Sequence, residues 1–326
     1  MRTVASHRTV AVVLIAVASF SLAHAGKIYW AGFLADPTEA GTFRVNMDGT
    51  SIERIGTDMA DGLAVDPVAR KIYWGNHETG GPSSALFRAN LDGTNPQVLH
   101  DLGGPLPDAI ALDLQAGWAY LSARYVSSCA GILRARMDGT GAVELLVPDI
   151  CAEGIAVDPG AGKIYWAEVN PTRAIRRANL DGTVPEDVID LTTAGSPKAL
   201  ALDAARGKLY WSINAIFRAD TDGSDIEQVI PESGYPRGIA LDLRADKLYW
   251  FRVIDPGSFH RADLDGSNPE TVLDGVEAFG QIAIDPVPDG ADVPAVSLRG
   301  LLVLALLLLG ISALILRKRG SLRREA

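Results

Sequence analysis

An all-β fold, a six-bladed propeller closed by the two ends of its own chain, is predicted by three observations. Three short motifs each occur six times, at spacings of 39 to 47 residues. Each unit divides into short β-branched or aromatic alternating runs split by turn residues, the pattern of four antiparallel strands. The repeat also opens on the second motif of its cycle, while the missing first motif stands at the far end. A 40-odd-residue period of four strands describes a propeller blade better than a sandwich or a solenoid.

The first motif is a strand-like run of the form G-I-A-V-D, with its aspartate at Asp66, Asp113, Asp158, Asp203, Asp242 and Asp285. These aspartates precede turns such as D-P-V-A-R-K, so they are expected to accept backbone hydrogen bonds in Asx-turns. A metal ring is the competing reading, but a hard cation needs several oxygens at one point and not one per blade. The second motif, K-I-Y-W, has its tyrosine at Tyr29, Tyr73, Tyr120, Tyr165, Tyr210 and Tyr249. All six tryptophans belong to it: Trp30, Trp74, Trp166, Trp211 and Trp250 follow the tyrosine, and Trp118 lies two residues before it. That concentration is a packing signature. The third motif, F-R-A-N-L-D-G-T, places Asp-Gly at Asp48, Asp92, Asp138, Asp181, Asp222 and Asp265. Asp-Gly between alternating runs predicts a tight hairpin with a type I′ turn.

Closure follows from motif order. Lys27-Ile28-Tyr29-Trp30 is a second strand without its first, and Gln281-Ile282-Ala283-Ile284-Asp285 supplies it. One blade built from both ends leaves no open sheet edge.

Outside residues 26–288 the chain changes character. Arg2 and Arg8, an apolar run from Val10 to Leu22 and Ala23-His24-Ala25 form a secretory signal, so residues 1–25 are expected to be removed. Residues 289–299 read as a linker, 300–316 as a short transmembrane helix and 317–326 as a basic cytoplasmic tail. Between the ends, residues 26–298 carry 22 basic and 39 acidic residues, a net charge of −17, which argues against nucleic acid or anionic lipid as a partner. The expected location is the cell membrane or envelope, with the propeller outside the cytoplasm.

The repeats resemble the YWTD propellers of the low-density lipoprotein receptor class and of nidogen, over nearly all of residues 26–288. The resemblance implies that G-I-A-V-D is the inner strand lining a central channel, and that partners dock across one face. The Thr-Asp half of the signature is absent: Ala31-Gly32, Gly75-Asn76, Ala167-Glu168, Ser212-Ile213 and Phe251-Arg252 follow the aromatic pair. The cysteine-rich modules of the animal receptors are missing too, so lipoprotein binding is not implied. Val293-Pro294-Ala295-Val296-Ser297 before Gly300 is similar to the I-P-T-L-S type of bacterial sorting signal. Processing by a sorting peptidase and a simple anchor are the two readings of that end.

With the inner strands so placed, the residues at the channel mouth are Asp61, Asp108, Glu153, Lys198, Arg237 and Gly280, three acids followed by two bases. Loop residues expected on the same face are His77, Glu78, Arg124, Tyr125, Glu168, Arg173, Arg252 and Asp255. Cys129 precedes the third strand of its blade and Cys151 follows the fourth, so the two loops share a face and a disulfide is expected against the alternative of two free thiols. His77, His100 and His260 are not at zinc spacing, and no nucleophile elbow or phosphate loop occurs.

The function expected is that of an exported, membrane-anchored binding module, not an enzyme and without cofactor or metal, whose rim holds a protein, peptide or glycan partner. A metal-dependent propeller hydrolase of the lactonase kind would need Asp61, Asp108, Glu153 and Asn76 to converge at the axis. A structural envelope protein is the third reading.

Overall fold

The computed structural model of the chain describes residues 26–34, 40–57, 60, 62–76, 84–231, 234–254 and 257–286. The signal segment, linker, apolar helix and basic tail expected from the sequence lie outside them. Among the described residues no helix is long and apolar enough to cross a membrane.

Six antiparallel sheets form the molecule. Blade 1 carries β1 (Lys27–Phe33), β2 (Gly41–Asn46) and β3 (Glu53–Gly56). Blade 2 has β4 (Leu63–Asp66), β5 (Lys71–Asn76), β6 (Ala85–Asn90) and β7 (Gln97–Asp101), and blade 3 has β8 (Leu106–Asp113), β9 (Trp118–Arg124), β10 (Cys129–Arg136) and β11 (Glu144–Pro148). Blade 4 comprises β12 (Cys151–Asp158), β13 (Lys163–Asn170), β14 (Ala174–Asn179) and β15 (Glu186–Asp190). Blade 5 comprises β16 (Leu200–Asp203), β17 (Lys208–Ser212), β18 (Ile216–Asp220) and β19 (Glu227–Ile230). Blade 6 comprises β20 (Pro236–Asp242), β21 (Lys247–Arg252), β22 (Ser258–Asp263) and β23 (Glu270–Asp274). The first strand of each blade is innermost, and the inner strands contact one another in a closed ring. Blade 1 takes its inner strand from the other end of the chain as β24 (Glu277–Ala278) and β25 (Ala283–Asp285), pairing Lys27 with Asp285 and Gly32 with Ala278. The run Gln281–Asp285 read from the sequence is paired over Ala283–Asp285, and the short β24 lies ahead of it as a second, separate piece.

The core lies between blades. Trp30, Trp166 and Trp211 are fully buried, and each indole faces the cross-strand residue of the third motif. Trp30 stacks on Phe43, Trp74 on Phe87, Trp211 on Phe217 and Trp250 on His260, with centroids 5.4 to 5.6 Å apart. In blade 4 the partner is Arg176, over the Trp166 ring at 5.8 Å. Trp118, displaced from the pattern, is covered by Arg134 and Arg136 at 4.6 and 3.9 Å.

A ring of arginines ties the blades together. Arg44, Arg88, Arg134, Arg177, Arg218 and Arg261 each donate from Nη1 to a backbone carbonyl of the next blade, at Leu91, Met137, Leu180, Thr221, Leu264 and Met47. The distances run from 2.9 to 3.1 Å, and the last bond returns to blade 1. Each guanidinium also holds a side chain on the outer strand of its own blade: Glu53, Gln97, Glu144, Glu186, Glu227 or Glu270.

The Asp-Gly turns differ from the expected type I′ geometry. Gly49 and Gly93 have φ of +83° and +80°, but none of the six aspartates has positive φ. Each turn is a four-residue one closed by Gly N–H to a carbonyl three residues back, as in Gly93 to Asn90 at 2.8 Å, with the glycine left-handed. The left-handed φ calls for glycine in all six turns, and packing adds to it in most: a Cβ on Gly93 would lie 1.8 Å from the Ile55 carbonyl of blade 1, whereas on Gly139 the nearest described atom would be 3.4 Å away. The aspartate is held by the next Thr or Ser; Asp48 Oδ1 accepts from Thr50 N and Oγ1 at 3.0 and 2.6 Å. At the inner strands, Asp66, Asp113 and Asp242 each accept two backbone N–H groups of the following turn.

These bonds make acid stability predictable. The hydroxyl of the following Thr or Ser is the main reason that Asp48, Asp92, Asp138, Asp181, Asp222 and Asp265 lie below the ordinary carboxyl range. The Lys247 ammonium, first among its partners, brings Asp263 down to about 2. A carboxyl with a folded pKa below its unfolded value of ~3.9 contributes stability that is complete above that pH and lost as pH falls through the folded pKa. The urea midpoint is expected to fall steeply between about pH 4 and pH 2, and Asp263→Asn should make the decline shallower.

Candidate functional site: the channel mouth

The upper face is the one on which the inner strands begin. Asp108 lies in β8, Glu153 in β12 and Arg237 in β20, while Lys198 precedes β16. These four side chains line one cavity of about 340 Å³, with Arg124 and Gln281. Asp61, His77, Glu78 and Asp255 lie outside the described residues.

The rim charges are matched across blades. Lys198 Nζ pairs with Glu153 Oε1 of the neighbouring blade, both side chains a little over one-third exposed. Asp108 accepts from Arg124 Nε at 2.6 Å within blade 3. Arg237 is exposed and donates to the Phe279 carbonyl at 3.3 Å. The two-sided rim read from the sequence is therefore locally neutralised at Asp108 and Glu153. Each ion pair is partly exposed, so it contributes orientation more than stability, typically about 0–1 kcal/mol.

Gln281 was quoted only as part of a strand. Its side chain reaches past blade 2 to β8, accepting from Ile110 N at 2.9 Å and donating to Ile110 O at 3.1 Å. A primary amide can complete both backbone valences of one residue in this way. It ties the closing strand to blade 3 and narrows the mouth.

Glu168 does not belong to the exposed face. It is fully buried in blade 4, accepting from Trp166 Nε1 at 3.0 Å, Thr172 Oγ1 at 2.6 Å and Arg176 Nη1 at 3.3 Å. A buried carboxylate with three donors is a strut of its blade. Tyr125 and Arg173 are exposed.

Cys129 and Cys151 are joined, with S–S 1.96 Å. Each opens a strand rather than sitting in a loop: Cys129 begins β10 and Cys151 begins β12, so the bond links blades 3 and 4 beside the mouth. Maleimide labelling of the native protein without reductant is expected to modify neither cysteine; two labelled thiols would contradict the link.

Among the described residues no three His, Cys, Asp or Glu side chains are grouped to hold a metal ion. Asn76 ends β5, and Asp108 and Glu153 line one cavity, each paired with a cation, Arg124 and Lys198 respectively.

No known family profile matches the chain. Protein cueball of Drosophila grimshawi is 31% identical over 166 residues, which are 49% of this chain and 27% of that protein. Low-density lipoprotein receptor-related protein 1 of Pyricularia oryzae is 36% identical over 85 residues, 23% of this chain and 28% of the relative. The chain thus spans little more than a quarter of each of these two relatives. Among solved structures, a nidogen/laminin complex superposes with a TM-score of 0.66 at 21% identity, covering 80% of this chain and 98% of the other. TolB from Acinetobacter baumannii gives 0.64 at 15% identity over 81% of this chain and 67% of its own. A putative 6-phosphogluconolactonase from Bacteroides uniformis gives 0.51 at 12%, over 77% of this chain and 83% of its own. The relatives and the six-blade architecture support a YWTD-type β-propeller.

Proposed function

We propose that this propeller is a binding module, exported and anchored by residues 300–316, whose channel mouth holds a protein ligand. The observation that carries the reading is the convergence of Asp108, Glu153, Lys198 and Arg237, from four successive blades, on one polar cavity. Fixed charges in two arcs of opposite sign on a rigid ring suit recognition: they orient a partner and raise its encounter rate, while exposed Arg and Tyr beside them supply contact energy. The solved neighbour in complex with laminin supports a protein as the ligand class. The lactonase reading has a fold likeness alone in its favour, and the paired mouth carboxylates give it no ligand set.

The test is capture from the producing organism's envelope and medium on the full-length protein, against the double variant Lys198→Glu/Arg237→Glu, with both checked for native circular dichroism. Capture by the wild type is expected to fall at least tenfold in the variant and to weaken with added salt. Equal capture by both would remove the mouth as the site. Absence of any partner would favour the structural envelope role.

A further inference from the structure

The repeat is interrupted at one place, and the interruption opens a pocket. In every blade a residue of the third strand faces one of the outer strand across the pair that packs toward the next blade. These pairs are Leu86 with His100, Ile132 with Val147, Ile175 with Ile189, Ile216 with Ile230 and Phe259 with Leu273. Blade 1 has Thr42 opposite Gly56. The loss of two large side chains leaves a cavity of about 370 Å³ between blades 1 and 2. Its wall is the stacked pair Trp74 and Phe87, 5.4 Å apart and 13° from parallel. Trp74 is 8% exposed, where Trp30 and Trp166 are at 0% and Trp211 at 1%.

Gly56 is not there for backbone reasons. Its φ is not positive, and among the described residues a Cβ built on it would meet only Thr42, at 3.6 Å. A third departure coincides with the first two. The outer-strand partner of the blade arginine is glutamate in five blades and Gln97 in blade 2, and Gln97 lines this cavity. Among the described residues that line it there is no Lys, Arg, Asp or Glu, in a chain that is 21% charged. A volume at the lower end of the usual ligand-pocket range of roughly 300–1,000 Å³, apolar walls and a few neutral polar groups are the features of a small-molecule site.

We infer that the cleft between blades 1 and 2 is a second binding site, separate from the channel mouth, for a small uncharged aromatic molecule. The flat Trp74–Phe87 wall takes the ring, and the Gln97 amide nitrogen, whose oxygen is held by Arg88, offers a hydrogen bond to a neutral polar edge. An anionic or cationic ligand would find no counter-charge among the described lining residues and would lose its hydration on entry.

Indole, uncharged and bicyclic, is a suitable probe. Calorimetric titration of the full-length protein in detergent is compared with Gly56→Leu and Thr42→Ile, which restore side chains of the kind the other blades carry. Micelle partitioning is the same for all three proteins and cancels. Saturable one-to-one binding is expected for the wild type, weakened at least tenfold in each filled variant, and indole should raise the melting temperature of the wild type only. Two variants guard against one failing to fold. No saturable binding, or binding unchanged in both variants, overturns the inference. A wild-type dimer by light scattering that becomes monomeric in Gly56→Leu overturns it in favour of a second copy of the chain filling the cleft.

Discussion

Trp30→Ala is expected to lower the unfolding free energy by about 3–5 kcal/mol, read as a lower urea midpoint by far-ultraviolet circular dichroism. Trp30 is fully buried at the seam where the chain closes on itself. Its ring stacks on Phe43 within blade 1 and meets Phe259 of blade 6 edge-on, with centroids at 5.1 Å. Truncation would therefore open a cavity between the two blades that hold the ends of the repeat together. The indole N–H lies buried without an acceptor among the described residues. Trp30→Phe should consequently cost much less, about 1–2 kcal/mol, since it keeps an aromatic contact and removes an unsatisfied donor. Equal losses in the two variants would mean that the seam does not depend on the aromatic stack.

Arg261→Ala is expected to cost about 3 kcal/mol, nearly as much, although Glu270, its own outer-strand partner, stays exposed. The loss has two parts. The Met47 carbonyl, on a residue 2% exposed, forfeits a charge-assisted bond of 3.0 Å, and the hydroxyl of Tyr249, also 2% exposed, loses the guanidinium beside it. Arg261→Lys should recover little, because an ammonium cannot reach a carbonyl of the next blade and a carboxylate of its own in the fork geometry of arginine. The comparison is Arg54→Ala, whose side chain bonds only backbone carbonyls of its own blade, at Gly56 and Ala40; it should cost under about 1 kcal/mol. A similar cost at Arg54 and Arg261 would show that the ring of interblade bonds adds nothing to closure.

The arginine ring shows where reading the residues stopped. The third motif contains an arginine in all six blades, and a glutamate or glutamine stands nine or ten residues after each. That regularity was a usable signal of a shared role. Its main acceptor was not, because the carbonyl of the next blade lies 44 to 49 residues on, or 214 back across the seam. The rim fared similarly. Asp108, Glu153, Lys198 and Arg237 do share one mouth, but the pairing of Lys198 with Glu153 spans 45 residues and the Gln281 bridge spans 171. Glu168 looked like a loop residue of the face and is a buried strut, since its position after Ala167 gives no sign that three donors surround it.

Blade number, blade order and closure by the two ends were all readable from the chain. They rest on period-two alternation, turn chemistry and motif order, which act over a few residues and repeat six times. The hairpin geometry at Asp-Gly was misread because only the glycine of the pair is left-handed, and a tight approach by the preceding blade, as of Ile55 to Gly93, adds to the need for it. The cleft in blade 1 is the clearest case of the same limit. Thr42 and Gly56 are unremarkable in sequence and become a pocket only when five other blades show what should fill the space. Packing across blades is a property of surfaces brought together by the whole ring, and no local pattern carries it.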